Sequence, residues 1–222
     1  MAERTRKLTA SKPRGRVRFT GVPAPKPILP SEAERQLSPR QREILDELEQ
    51  LLGTRRLGDR TMSEIASEVN CSLRTLYGIA PSKDELVLTI VDRRLHHIGR
   101  ASIDSLDPSL SPMETLRAYL RAANEALQPS SVAFSDDLVG ISGAQRLLDS
   151  HADYVMAVTR SLLDRAVAER EIEPVDTASL AYVLGRLGRV FSRPERSELA
   201  EAPPKETADA IADIILRGLE KR

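Results

Sequence analysis

The sequence predicts an all-α chain in which an N-terminal three-helix unit containing a helix-turn-helix is followed by a larger C-terminal helical domain. Three observations carry this. Apolar residues recur at helical spacing from about residue 38 onward. The Ser/Thr-x-x-Glu/Gln spacing of a capping box stands before several of these runs: Ser38 with Gln41, Thr61 with Glu64, Ser82 with Glu85, and Ser111 with Glu114. Strand signals are nearly absent, with no period-two run of Val, Ile, Thr or aromatic residues and no Asn-Gly or Asp-Gly hairpin turn.

Taken in order, residues 1–37 read as a basic, proline-rich arm without amphipathic period, expected to be disordered. Pro13, Gly15, Pro23, Pro25, Pro27 and Pro30 interrupt it and no apolar stretch follows, which argues against a secretory leader. Ser38, Pro39 and Gln41 then open a helix whose stripe is Ile44, Leu45, Leu48, Leu51 and Leu52, ending near Gly53. Further helices are expected over about 61–68, 72–78, 83–103, 112–127, 132–148, 150–171, 176–192 and 205–220. The domain reading is an arm over 1–37, a helix-turn-helix unit over 38–85, and a larger helical domain over 86–222.

A chain of 222 residues is long enough for one large or two small domains with a sizeable core. The 33 Lys and Arg balance the 33 Asp and Glu, but unevenly along the chain. Residues 1–40 hold ten basic against three acidic residues, and residues 101–222 hold fourteen against twenty. The basic end is the one suited to a phosphate backbone. Cys71 is the lone cysteine, which excludes an internal disulfide and the four-ligand cysteine and histidine clusters of structural zinc sites and suits a reducing cytoplasm. No apolar run is long enough to span a bilayer.

The function-bearing segment is Thr61 to Tyr77. Ile65, Ala66 and Val69 supply the inner face of its first helix, Ala66 being small where two helices approach. Asn70 tolerates the left-handed conformation that the turn asks for. Ser72 caps the second helix, with Leu76 inward and Leu73, Arg74 and Thr75 outward. Such a pair projects its second helix into a major groove. There Arg74 would bond a guanine edge, Ser72 and Thr75 would assist, and Leu73 would meet a thymine methyl.

Thr61, Ile65-Ala66, Ser72, Thr75-Leu76-Tyr77 and Pro81-Ser82-Lys83-Asp84-Glu85-Leu86, in this spacing, resemble the DNA-binding signature of the TetR family over about residues 40–95. The resemblance implies a dimeric repressor whose recognition helix reads bases and in which Thr61, Tyr77 and Lys83 bind phosphates. Hydroxyl, phenol and ammonium groups at helix ends are suited to that task. The chain departs from the family pattern at Asn70 in place of the turn Gly and at Arg74 in place of a small residue. Ala80 replaces an aromatic, which is expected to weaken packing, and Arg56 replaces a Gly, which suggests a different loop.

In the arm, Lys12-Pro-Arg-Gly-Arg-Val-Arg18 resembles an AT-hook core, in which Arg14 and Arg16 would enter a narrow minor groove. A solvated tail of non-specific charge is the other reading.

The resemblance further implies that the body binds a small-molecule effector and forms the homodimer through the last two helices as a four-helix bundle. Gly185 and Gly188 in the first of these suggest close approach of another helix. Asn124, Phe134, His151 and Tyr154 are candidate pocket residues, and satisfied core residues are the alternative reading of Asn124 and His151. No catalytic residue, metal site or cofactor is expected: Ser150, His151 and Asp153 lack a nucleophile elbow, and no phosphate loop or HExxH pair occurs. An enzyme and a helical protein-interaction module are the rival classes. The expected partner is double-stranded DNA, without a membrane, in the bacterial cytoplasm and at the nucleoid when bound.

Overall fold

The structure, a computed structural model, describes residues 17, 19, 21–52, 56–125, 137–191 and 201–220. Its helices are α1 (Ser31–Gln36), α2 (Pro39–Leu51), α3 (Met62–Glu68), α4 (Leu73–Tyr77), α5 (Lys83–Asp104), α6 (Pro112–Asn124), α7 (Ala144–Ala168), α8 (Thr177–Leu184), α9 (Leu187–Phe191) and α10 (Pro204–Leu219). A 3-10 turn, Leu57–Asp59, precedes α3. Among the described residues the only sheet-like pairing is an isolated bridge between Ile172 and Glu220. No described helix is long and apolar enough to cross a membrane.

The expected helix starts are realised through side-chain geometry. Ser38, Thr61 and Ser111 each form a full capping box with the residue three further on, while Ser72 and Ser82 accept a backbone N–H in the same way. Each cap satisfies donors that a helix leaves unpaired at its N-terminus.

Several boundaries are corrected. Part of the arm is ordered: α1 forms within it, Leu29 and Leu37 pack against the N-terminal core, and Val17, Phe19 and Val22 pack against the core of the body. The interruption expected between 148 and 150 does not exist, because the Ser150 hydroxyl donates to the Leu147 carbonyl 2.8 Å away and so sits inside a helix instead of capping one. That helix starts after Gly143, whose φ of 91° is open to glycine. The helix expected over 176–192 is broken at Gly185-Arg186. A Cβ at Gly185 would lie 3.0 Å from Met156 Cα, so the close approach suggested by this glycine is to α7 of the same chain. The helix expected over 112–127 is described as far as Asn124.

Two apolar cores result. The first gathers Ile44, Leu45 and Leu48 of α2, Ile65 of α3, Leu76 of α4 and Leu86, Val87, Ile90 and Val91 of α5. It also takes Leu138, Ile141, Ala144 and Leu147, so the N-terminal unit is closed by the start of α7. The second is built from α6, α7, α8 and α10 around Leu116, Tyr119, Leu162 and Leu163. Ala80, which stands where the family pattern has an aromatic, is buried in the first core.

Gly58 is the tightest joint. Its N–H donates to Asp137 Oδ1 at 3.0 Å, its carbonyl accepts from Lys83 Nζ at 2.5 Å, and a Cβ would meet the Asp137 carbonyl oxygen at 2.4 Å. Overpacking of this kind costs about 1–3 kcal/mol. Gly58→Ala is therefore expected to lower the unfolding free energy by about that much, read as a fall in the urea midpoint, whereas Gly218→Ala, with nothing near its Cβ, leaves the midpoint at or slightly above wild type.

Candidate nucleic-acid interface

The interface begins with α3, whose job is to hold α4. Thr61 Oγ1 accepts from the Glu64 backbone N–H at 3.2 Å, while Glu64 Oε2 accepts from both the N–H and the hydroxyl of Thr61 at 2.7 and 2.8 Å. These bonds hold the Glu64 carboxyl below the ordinary carboxylate range. At the other end, Arg40 of α2 donates to the Val69 carbonyl at 2.9 Å, placing a cation against the negative end of α3. The sequence analysis did not single out Arg40; its partner lies on another helix.

Between the two helices Asn70 has φ 47°, the left-handed turn expected of it, and the Cys71 N–H reaches back to the Ala66 carbonyl at 2.9 Å. Arg56 is likewise left-handed at φ 43°, a conformation that glycine takes more readily than arginine.

Helix α4 is short, and Leu76 is fully buried beneath it. Opposite, Leu73 is 42% and Tyr77 52% exposed, and Arg74 is exposed as well. Ser72 and Thr75 are bonded to each other, hydroxyl to hydroxyl at 2.8 Å, with Thr75 half-buried. The structure thus gathers Ser72, Leu73, Arg74, Thr75 and Tyr77 on one short helix. Arg74 and Tyr77 are the outward groups able to reach a polyanion.

Thr61 and Lys83 are more constrained than their expected phosphate role implies. The Thr61 hydroxyl is shared with Glu64, and the Lys83 ammonium is bonded to Gly58. An ammonium has three donors, so that bond leaves capacity for a second acceptor. Arg14, Arg16 and Phe134 lie outside the described residues.

Of the candidate pocket residues of the body, Asn124, His151 and Tyr154 are among the described residues. Asn124 is buried and donates to Asp209 Oδ1 at 2.8 Å, tying α6 to α10; His151 Nε2 lies 2.9 Å from Asp92 Oδ1; Tyr154 packs half-buried against the second core. Asn124 and His151 are thus satisfied by carboxylates of different helices. A cleft of about 600 Å³ in the body is lined instead by Gln145, Asp149, Tyr182, Val183, Arg186 and Leu187, among others.

No family model matches the chain. An uncharacterised helix-turn-helix-type transcriptional regulator of Bacillus subtilis, YvaF, is 22% identical over 162 residues, covering 72% of this chain and 85% of that protein. A transcriptional regulator from Cytophaga hutchinsonii is superposable with a TM-score of 0.67 at 14% identity, over 83% of this chain and 100% of the other. A regulatory protein of the TetR family from Rhodococcus RHA1 gives a TM-score of 0.61 at 18% identity, over 83% and 99%. The chain has the all-α fold of TetR-family transcriptional regulators, with a helix-turn-helix unit and a helical C-terminal domain.

Loss of the α3 cap can be measured directly. Thr61→Ala is expected to cost about 1 kcal/mol. Because the folded-state Glu64 carboxyl titrates low, its contribution is present above the unfolded value and fades as pH falls below about 4.3. Acid titration of stability should therefore be shallower in Glu64→Gln than in wild type.

Proposed function

We propose that the chain is a sequence-specific DNA-binding transcriptional regulator, a dimeric repressor that a small-molecule effector releases from its operator in the bacterial cytoplasm. The observation that carries this reading is α4. A helix-turn-helix whose second helix is anchored by Leu76 and presents Leu73, Arg74 and Tyr77 outward has the form of a major-groove reader, on a fold whose solved relatives are transcriptional regulators.

In this reading Arg74 reads a base edge, with Ser72, Leu73 and Thr75 beside it, and Tyr77, Thr61 and Lys83 dock phosphates. The bonds from Thr61 to Glu64 and from Lys83 to Gly58 make Tyr77 the least encumbered of the three docking residues. Arg14 and Arg16 add charge from the arm, in the minor groove or along the backbone.

Dimerisation through the last helices is supported by side chains left without cover. Tyr182 and Val183 on α8, Val190 on α9 and Ile214 on α10 are large, apolar and exposed, Ile214 to 70%. Helix α5 runs from the helix-turn-helix into the body, so an effector that shifted it would change the spacing of two recognition helices.

A footprint followed by quantitative mobility shifts tests the reading. Arg74→Ala should cost about 1–3 kcal/mol on the specific site and little on random DNA, while the pair Arg14→Ala and Arg16→Ala should reduce the salt slope by about 1 per arginine. Absence of any protected sequence would refute it. The arm is better probed by these substitutions than by truncation, since its later residues pack against both cores.

Sedimentation equilibrium checks the dimer: wild type is expected as a dimer and Ile214→Glu as a folded monomer. A wild-type monomer at micromolar concentration would reject this interface.

A further inference from the structure

Midway along α5, Asp92 is buried to 2% and faces two imidazoles. His96, one turn further on the same helix, has Nε2 at 3.5 Å from Asp92 Oδ1; His151 of α7 has Nε2 at 2.9 Å from the same oxygen. The three donor atoms lie within 4.8 Å of one another, and the rings meet edge-on with centroids 4.9 Å apart. His96 Nε2 is buried without a hydrogen-bond partner among the described residues. Such an atom normally finds a partner.

We propose that Asp92, His96 and His151 form a binding site for a divalent cation of the zinc class. Two imidazoles and a carboxylate are the donor types that such borderline cations take. In a tetrahedral site, bonds of about 2.0–2.2 Å place neighbouring ligand atoms roughly 3.3–3.6 Å apart; the observed 3.5 Å lies in that span, and the 2.9 Å pair would open by about half an ångström. The carboxylate is already oriented: its second oxygen, Oδ2, accepts the Ile28 backbone N–H at 2.8 Å, and a cation at Oδ1 would take the place of the His151–Asp92 hydrogen bond.

Access and the remaining coordination positions come from a cavity of about 270 Å³ beneath residues 24–31, which both Asp92 and His96 line. Sites that keep a position open to solvent or a small ligand have this form. Arg93 and Arg100 line the same cavity. Arg93 is neutralised by Glu34, Asp46 and Glu49 at 2.7–3.1 Å, whereas Arg100, bonded to the His96 carbonyl at 3.3 Å, would face a hydroxide or other anion on the cation. The sites of His97 and His96 are distinct: His97 Nδ1 pairs with Glu49 Oε1 at 2.9 Å and faces away from the cluster. The bound cation would clamp α5 to α7 directly and the arm to α5 through Asp92.

The test uses the full chain stripped with chelator, titrated with Co²⁺ for its visible d–d absorption and then with Zn²⁺ in competition. One equivalent of Co²⁺ per chain is expected, displaced by Zn²⁺. His96→Gln and His151→Gln should each weaken binding by at least about tenfold, and His97→Gln should not. Zn²⁺ should raise the melting temperature of wild type and His97→Gln by several degrees and leave that of His96→Gln unchanged. Circular dichroism identifies any variant that fails to fold, and the wild-type titration decides the matter without variants. A wild type that binds neither cation at micromolar concentration, or binding equal to wild type in both folded His96→Gln and His151→Gln, would overturn the site. DNA affinity is not a readout, so this outcome is separate from that of the functional reading.

Discussion

Helix α5 must bury a flank in each of two cores, and the rest of the molecule is arranged around that constraint. Leu86, Val87, Ile90 and Val91 close the N-terminal core, and Ile103, with Leu106 just beyond the helix, joins the core of the body. Apolar burial of this kind is the main favourable term in folding. A connector so embedded is packed at both ends. At its middle sits a buried acidic side chain, which is tolerated only when its oxygens are bonded. The backbone of Ile28 and the ring of His151 supply those bonds and so draw the arm and α7 onto the same helix.

The N-terminal unit is therefore less autonomous than a boundary at 85 suggests. Leu138, Ile141, Ala144 and Leu147 complete its core from beyond the connector, and Asp137 holds the turn at Gly58 that also receives Lys83. The three-way joint at Gly58 links the loop before α3, the start of α5 and the approach to α7. Contacts of this sort join the N-terminal unit to the body so that a displacement on one side cannot be absorbed locally.

Much of the reading surface was legible in the sequence because it rests on local geometry. Ser72 capping α4, Leu76 inward, Asn70 left-handed and Arg74 outward all follow from helical periodicity and turn chemistry. What was not legible is which polar atoms are already engaged. The Thr61 hydroxyl bonding Glu64 was within reach of the capping-box pattern, but Lys83 on Gly58 and Arg40 on Val69 join residues 25 and 29 positions apart, and no local pattern records them.

The sequence by itself determined where most helices begin, which faces are apolar and which side chains of the short helix α4 point outward, because caps act between residues three apart and periodicity fixes a face. Tertiary structure alone decided that Ser150 lies inside a helix, that Gly185 breaks one, that the end of the arm packs, and that Asp92, His96 and His151 meet. Asp92 and His151 are separated by 59 positions, and only the packing of α7 against α5 brings them within a hydrogen bond. Distances of that kind depend on how apolar faces choose their neighbours, a choice made by the whole chain at once.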